Sequence, residues 1–195
     1  YSKALVGCYE ALRVRKAPSA YGWDIMPRTV SAGLWRDVTL EIEEPTEIED
    51  ISFSTVYIQK NTAYIACSYR IHTNVFNYEG LSLRITGKIS DRAEFVHETP
   101  IRFVCGRADF YIKNPKLWWP LGYGEPNVYD IIAEVIHEGK VIAEYKTSMG
   151  VRTVRLERTD ITDASGGEFR FIINGEPIFC KGSNWVPADA LHSRD

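Results

Sequence analysis

Residues 81–90 read L-S-L-R-I-T-G-K-I-S. Leu81, Leu83, Ile85, Gly87 and Ile89 alternate strictly with Ser82, Arg84, Thr86, Lys88 and Ser90. A period of two puts successive side chains on opposite faces of a strand. A slip of one residue would bury five polar groups, so the register is firmly set. The same rhythm runs through Ala63–Ile71, where Ala63, Ile65, Cys67, Tyr69 and Ile71 share a face against Tyr64, Ser68, Arg70 and His72. Further runs are Ala93–His97, Ile101–Cys105, Phe110–Ile112, Val128–His137 and Lys140–Val154, and Glu138-Gly139 between the last two reads as a tight hairpin. About seven short strands at intervals of roughly ten residues, without a helical stripe, predict an immunoglobulin-like β-sandwich. The missing helices exclude a parallel βαβ architecture.

The flanks differ from this centre. Residues 1–41 hold short β-like pieces, Ala11–Val14 and Leu34–Ile42, around a turn-rich stretch from Ala17 to Pro27. They are too few for a sandwich of their own and look like the end of a larger domain. Glu41–Asp50 carries six acids and a central proline, the composition of a solvated linker. After Val154 a polar stretch leads to F-R-F-I-I at 169–173, then Asn174-Gly175, then E-P-I-F-C at 176–180. Asn-Gly between apolar runs is a strong hairpin signal. The first residue, Tyr1, is not a methionine, and the expectation is a piece of a longer protein.

Composition narrows the function. A net charge of −3 over 195 residues gives no footprint for nucleic acid or an anionic membrane. The apolar runs are short, so neither a spanning helix nor a signal peptide is expected. The four cysteines, Cys8, Cys67, Cys105 and Cys180, lack C-x-x-C spacing and histidine neighbours, which argues against zinc. Cys67 and Cys105 both fall in strand-like runs, leaving an inter-sheet disulfide open, although buried thiols are the expectation. There is no N-x-S/T sequon, and a cytoplasmic location follows as the default. Gly122-x-Gly124 lacks the strand–turn–helix setting of a nucleotide loop, and Pro126 blocks a helix. His72, His97, His137 and His192 are scattered and read as strand or loop histidines rather than catalytic bases.

The densest block is 116–129, K-L-W-W-P-L-G-Y-G-E-P-N-V-Y. Indoles bury large areas, while the prolines forbid a continuous helix or central strand. With it stand two further blocks. The first is Y-G-W-D-I-M-P-R at 21–28, followed by G-L-W-R-D-V at 33–38. The second is G-V-R-T at 150–153, followed by F-I-I-N-G-E-P-I-F-C-K-G-S-N-W-V-P-A-D at 171–189. In this order the three blocks resemble the family 2 glycoside hydrolases, most closely the β-mannosidases, and the resemblance covers the whole chain.

That resemblance implies a jelly-roll domain, an immunoglobulin-like domain and a catalytic (β/α) barrel. Residues 1–42 would end the jelly-roll, 43–150 would form the sandwich, and 151–195 would be the hairpin and first strand of the barrel. Retaining hydrolysis needs two carboxyl groups about 5–5.5 Å apart. In the family both lie on later barrel strands, the acid/base in an Asn-Glu pair that this chain lacks. No catalytic residue, metal ligand or cofactor site is therefore expected among these residues, and the chain alone should hydrolyse nothing.

The resemblance assigns substrate contacts to Trp23 and Asp24, whose indole face and carboxylate suit a pyranose and its hydroxyls. The alternative is a buried tryptophan beside a turn-capping aspartate. Ile25-Met26 stands where the family often has Trp-Gly, which leaves pocket shape and the exact sugar open. Asn184, Trp185 and Asp189 would close the first barrel strand, at the face where barrel sites form. Alternatively, Trp185 packs under the rim and Asp189 caps a helix. The implied partner is a β-mannoside; other family 2 exo-glycosidases (β-galactosidase, β-glucuronidase, exo-β-glucosaminidase) and a non-catalytic carbohydrate-binding or adhesion module are the alternatives. In the family frame Trp118 and Trp119 pack the sandwich end against the barrel rather than bind sugar.

Overall fold

A computed structural model describes residues 13, 16, 18–22, 27–31, 33, 34, 36–40, 42, 44–159, 167–185, 188 and 189. The chain divides into two units, Glu43–Cys180 and Tyr1–Ile42 together with Lys181–Asp195.

The described residues of the Glu43–Cys180 unit form eleven strands: β1 Thr46–Gln59, β2 Thr62–Thr73, β3 Leu81–Ile89, β4 Arg92–Pro100, β5 Cys105–Arg107, β6 Phe110–Lys113, β7 Tyr129–His137, β8 Lys140–Met149, β9 Val154–Arg158, β10 Phe169–Ile173 and β11 Glu176–Ile178. One sheet runs β1-β2-β5 with β6 also on β2, and the facing sheet runs β4-β3-β7-β8. All these pairs are antiparallel. This is the immunoglobulin-like sandwich that the alternation predicts. Its core holds the inward rows: Ala63, Ile65, Cys67, Tyr69 and Ile71 from β2, Leu81, Leu83 and Ile85 from β3, and Tyr129, Ile131, Ala133 and Val135 from β7. Removing these aliphatic and aromatic surfaces from water is the main force joining the sheets.

The outward rows pair across strands. Arg84 lies opposite Glu134 and bonds it at 2.9 Å, and Ser82 donates to Glu98 at 2.6 Å. Between the sheets an aromatic cluster forms around Phe110, with His97 stacked at 5.1 Å and Phe95 at 5.3 Å. Gly87 makes room for it, since a Cβ there would lie 2.1 Å from the Phe95 ring.

Among the described residues, four hairpins close through two-residue loops in which both residues have positive φ: Lys60-Asn61, Ser90-Asp91, Glu138-Gly139 and Asn174-Gly175. This is the type I′ geometry, whose twist matches the flanking strands.

Several sequence expectations are corrected. The acidic stretch is not a linker to its end: β1 starts at Thr46, with Thr46 and Ile48 buried and Glu47 and Glu49 outward. Residues 101–104 are no strand but the crossing between sheets, held by Ile101 N–H to Leu81 O and Ile71 N–H to Val104 O. The 140–154 run breaks after Met149 and resumes as β9. Cys67 and Cys105 cannot bridge the sheets, because β2 and β5 are neighbours in one sheet. Both are free, Cys67 buried in the core and Cys105 exposed. Burial pushes the Cys67 thiol up to about 12.

In the other unit a 3-10 turn spans Pro18–Tyr21. Ala20 and Tyr21 are buried, Thr29 N–H bonds Ala20 O at 3.0 Å, and Arg28 lies over the Tyr21 ring at 5.7 Å. The alternation at 34–42 does not make a strand at its described positions. Leu34, Val38, Leu40 and Ile42 are 86–95% exposed. A single extended piece forms no ladder without a neighbour for its backbone groups.

Candidate functional site

The aromatic block is a built junction. Leu117 pairs in parallel with Val151, and Trp118 N–H donates to Val151 O at 2.9 Å. Trp118 also bridges Pro126, and Trp119 N–H reaches Glu125 O at 3.1 Å, so the block folds back on itself. The reversal is a turn closed by Tyr123 N–H to Pro120 O at 3.1 Å, with Gly122 at φ +87°. That value, third in the turn after a proline, is the type II pattern. Asn127 Nδ2 donates to Leu117 O at 3.0 Å, and Lys116 N–H donates to the Tyr129 hydroxyl at 2.7 Å. Both indoles lie against glycine. A Cβ on Gly124 would stand 2.8 Å from Trp119, and one on Gly150 would stand 3.1 Å from Trp118.

A third, antiparallel sheet, β11-β10-β9, is tied to this block. Asn174, at the hairpin tip, donates its backbone N–H to Thr153 O and accepts from Thr153 N–H at Oδ1, both at 3.0 Å. Its Nδ2 donates to Trp118 O at 3.0 Å. Beyond β11, Phe179 N–H donates to the Tyr123 hydroxyl at 2.9 Å. Beside the junction lies a groove of about 690 Å³ between β1 and β8. Ser54, Thr55, Thr147 and Ser148 line it, with Trp118 and Arg152. The Arg152 backbone N–H bonds Thr55 Oγ1 at 3.3 Å, and its guanidinium covers the Trp118 ring.

The polar groups of the sandwich are set for structure. Tyr64 donates to Asp109 Oδ2 at 2.6 Å, and Arg107 bonds the same carboxylate. Burial opposes ionisation of Asp109, but these hydrogen bonds and the Arg107 charge outweigh it and hold its pKa below the ordinary value. A carboxylate so held is the wrong species for a general acid. Among the described residues no cluster of three or more His, Cys, Asp or Glu could hold a metal ion, and no helix is long and apolar enough to cross a membrane.

Of the expected substrate contacts, Trp23 and Asp24 lie outside the described residues. Asn184 and Trp185 are exposed, Trp185 by 82%, and Asp189 is half-buried. The segments carrying all five, Tyr1–Ile42 and Lys181–Asp195, belong to one unit. Sequence reasoning missed the Asn174 side chain as a joint; the signal available was the Asn-Gly turn downstream of the G-V-R-T block.

The family model for the glycosyl hydrolases family 2 matches residues 46–152, from the first residue of β1 through the Arg152 that covers Trp118. The chain belongs to family 2 of the glycosyl hydrolases. Among curated proteins, this family 2 chain is 32% identical over 179 residues to beta-mannosidase B of Aspergillus terreus, covering 91% of the chain and 20% of that protein. With beta-mannosidase B of Aspergillus flavus the identity is 33% over 186 residues, at 92% and 21% coverage. The chain thus spans about a fifth of the length of the curated relatives it matches. Among solved structures, the beta-D-mannosidase from Dictyoglomus thermophilum superposes at TM-score 0.75 and 30% identity, over 93% of this chain and 22% of that one.

Proposed function

We propose that this chain is the immunoglobulin-like region of a retaining exo-β-mannosidase, and that the complete protein removes terminal non-reducing β-D-mannose. On this reading residues 1–42 end a jelly-roll domain, 43–150 are the sandwich, and 151–195 enter the catalytic barrel. The observation that carries it is the likeness to a β-D-mannosidase at 30% identity across 93% of the chain, which reaches beyond the family model on either side. The exposed Leu34, Val38, Leu40 and Ile42 support an N-terminal piece that finishes its packing against further chain.

Trp23, Asp24, Asn184, Trp185 and Asp189 are the residues we assign to the mannose pocket. The grouping of the two segments that carry them supports the assignment. The two catalytic carboxyl groups come from elsewhere in the complete protein, and the 195 residues alone are inactive. We place the protein in a reducing compartment such as the cytoplasm, a reading supported by the free Cys67, Cys105 and Cys180.

The test is a panel of nitrophenyl β-glycosides with the complete protein. Preferential release from the β-mannoside is expected; preference for the galactoside, glucuronide or glucosaminide would replace mannose by that sugar. Turnover of an aryl β-mannoside by residues 1–195 alone would contradict the assignment of chemistry to the missing part.

A further inference from the structure

The hydrogen bonds of Asn174 and Tyr123 lie on the hairpin that the proposed reading makes the entrance to the barrel. The aromatic block grips that hairpin twice, at its tip through Trp118 O to Asn174 and just past its last strand through the Tyr123 hydroxyl to Phe179. Thr153 braces the tip from the other side, with one bond to the Asn174 backbone and one to its side chain. The Asn174 side-chain amide thus commits one of its two N–H donors to Trp118 and one of its two carbonyl lone pairs to Thr153. The grip ends one residue before the unit boundary, since Cys180 is the last residue of the sandwich unit. Asn184 follows five residues after Phe179.

We infer that Asn174 and Tyr123 are positioning residues. They form a two-point bracket that fixes where and in which direction the chain leaves the sandwich, and through it the placement of Asn184 and Trp185. The inference rests on the proposed pocket role of those two residues. The bracket is not needed to form the turn itself. Asn174 sits at φ +52° and Gly175 at φ +90°, which glycine adopts at either position. Nor is the Tyr123 hydroxyl needed for the type II turn, which is closed by the Tyr123 backbone. Side chain and turn can therefore be separated by substitution. Placement matters because a shift of about 1 Å at a binding group is enough to cost on the order of a hundredfold in rate.

The experiment uses the complete protein and three variants. Asn174→Gly keeps the turn and loses both side-chain bonds; Asn174→Asp keeps the acceptor for Thr153 and loses the donor to Trp118; Tyr123→Phe removes only the Phe179 bond. At a temperature well below every melting point, Asn174→Gly and Tyr123→Phe are expected to lose at least tenfold in kcat/KM on the preferred glycoside. The loss should fall mainly on KM, because the displaced residues bind rather than react, and Asn174→Asp should lie between Asn174→Gly and the parent. Hydrogen exchange in residues 180–185 should quicken in the same order. Kinetic constants within twofold of the parent, with lowered melting points alone, would reduce the bracket to a stabilising contact and overturn the inference. If the complete protein prefers another glycoside, the same variants are read on that one. If it cleaves none, the proposed function fails and the exchange data decide: unchanged exchange at 180–185 overturns the bracket, and quickened exchange sustains it.

Discussion

The guanidinium of Arg152 lies over the indole of Trp118, 4.6 Å from the ring centroid. The two residues meet because Leu117 and Val151 pair in parallel just before them, which carries the end of β8 past the aromatic block. A cation over an indole is worth about 0.5–2 kcal/mol depending on desolvation. Trp118 is half-buried, so Arg152→Ala is expected to destabilise the sandwich by about 1 kcal/mol in urea unfolding. Arg152→Lys keeps the charge but not the flat stack and should recover only part of it. An Arg152→Ala variant as stable as the parent would mean that the ring contact is idle.

Trp119 and Gly124 form a matched pair. Replacing Gly124 by alanine drives a methyl group to 2.8 Å from the indole and is expected to cost about 1–3 kcal/mol as overpacking. Trp119→Ala removes a half-buried indole and should cost about 2 kcal/mol. In the double variant the Gly124→Ala cost should largely vanish, since its obstacle is gone. In the complete protein Trp119→Ala should lower the melting point far more than it weakens sugar binding; lost affinity at unchanged melting would make the block a sugar platform instead.

Two of the type I′ hairpins carry no glycine. Lys60-Asn61 has φ of 47° and 57°, and Ser90-Asp91 has φ of 49° and 63°. Left-handed backbone costs ordinary L-residues about 1–2 kcal/mol, less for asparagine. Introducing Asn-Gly at 60–61 is therefore expected to stabilise by about 0.5–1 kcal/mol, the gain being trimmed by glycine's larger unfolded entropy. A higher urea midpoint at unchanged slope is the signature to look for.

His97 gives the sandwich a dependence on pH. Burial beside Phe110 lowers its pKa in the folded chain below the ordinary 6.5. Between those two values the unfolded chain holds more protons than the folded one, so stability rises with pH across the window. It is fully present above about 6.5 and declines as the pH falls through the window toward the folded pKa. Unfolding midpoints at pH 5 and 7 should differ less in His97→Gln than in the parent; an equal difference would locate the dependence elsewhere.

The strands were legible where one face is buried and the other wet, as in Leu81–Ile89, because the period of two is then enforced by the core. The glycine-containing turns were legible for the same local reason, while Lys60-Asn61 and Ser90-Asp91 were not, since their φ values are imposed by the flanking pairing rather than by residue preference. Apolar content alone misled at 101–104, where the chain changes sheets with Ile101 buried but Phe103 and Val104 exposed. At the described positions of 34–42 the alternation is present without a ladder. Of the candidate site, the residue types at 184, 185 and 189 came from the resemblance, not from any local rule. The contact of Trp118 with Arg152 depends on a long-range register that no single sequence spells out.

Cys67 turns the molecule into its own clock. A thiol with no exposed surface and a pKa pushed up to about 12 offers alkylating reagents neither access nor thiolate at neutral pH. Cys105 and Cys180 stand exposed and are expected to label first. Late labelling at residue 67 can then proceed only through molecules whose two sheets have parted. Its rate under excess reagent therefore counts spontaneous openings of the sandwich, in the native protein and without denaturant.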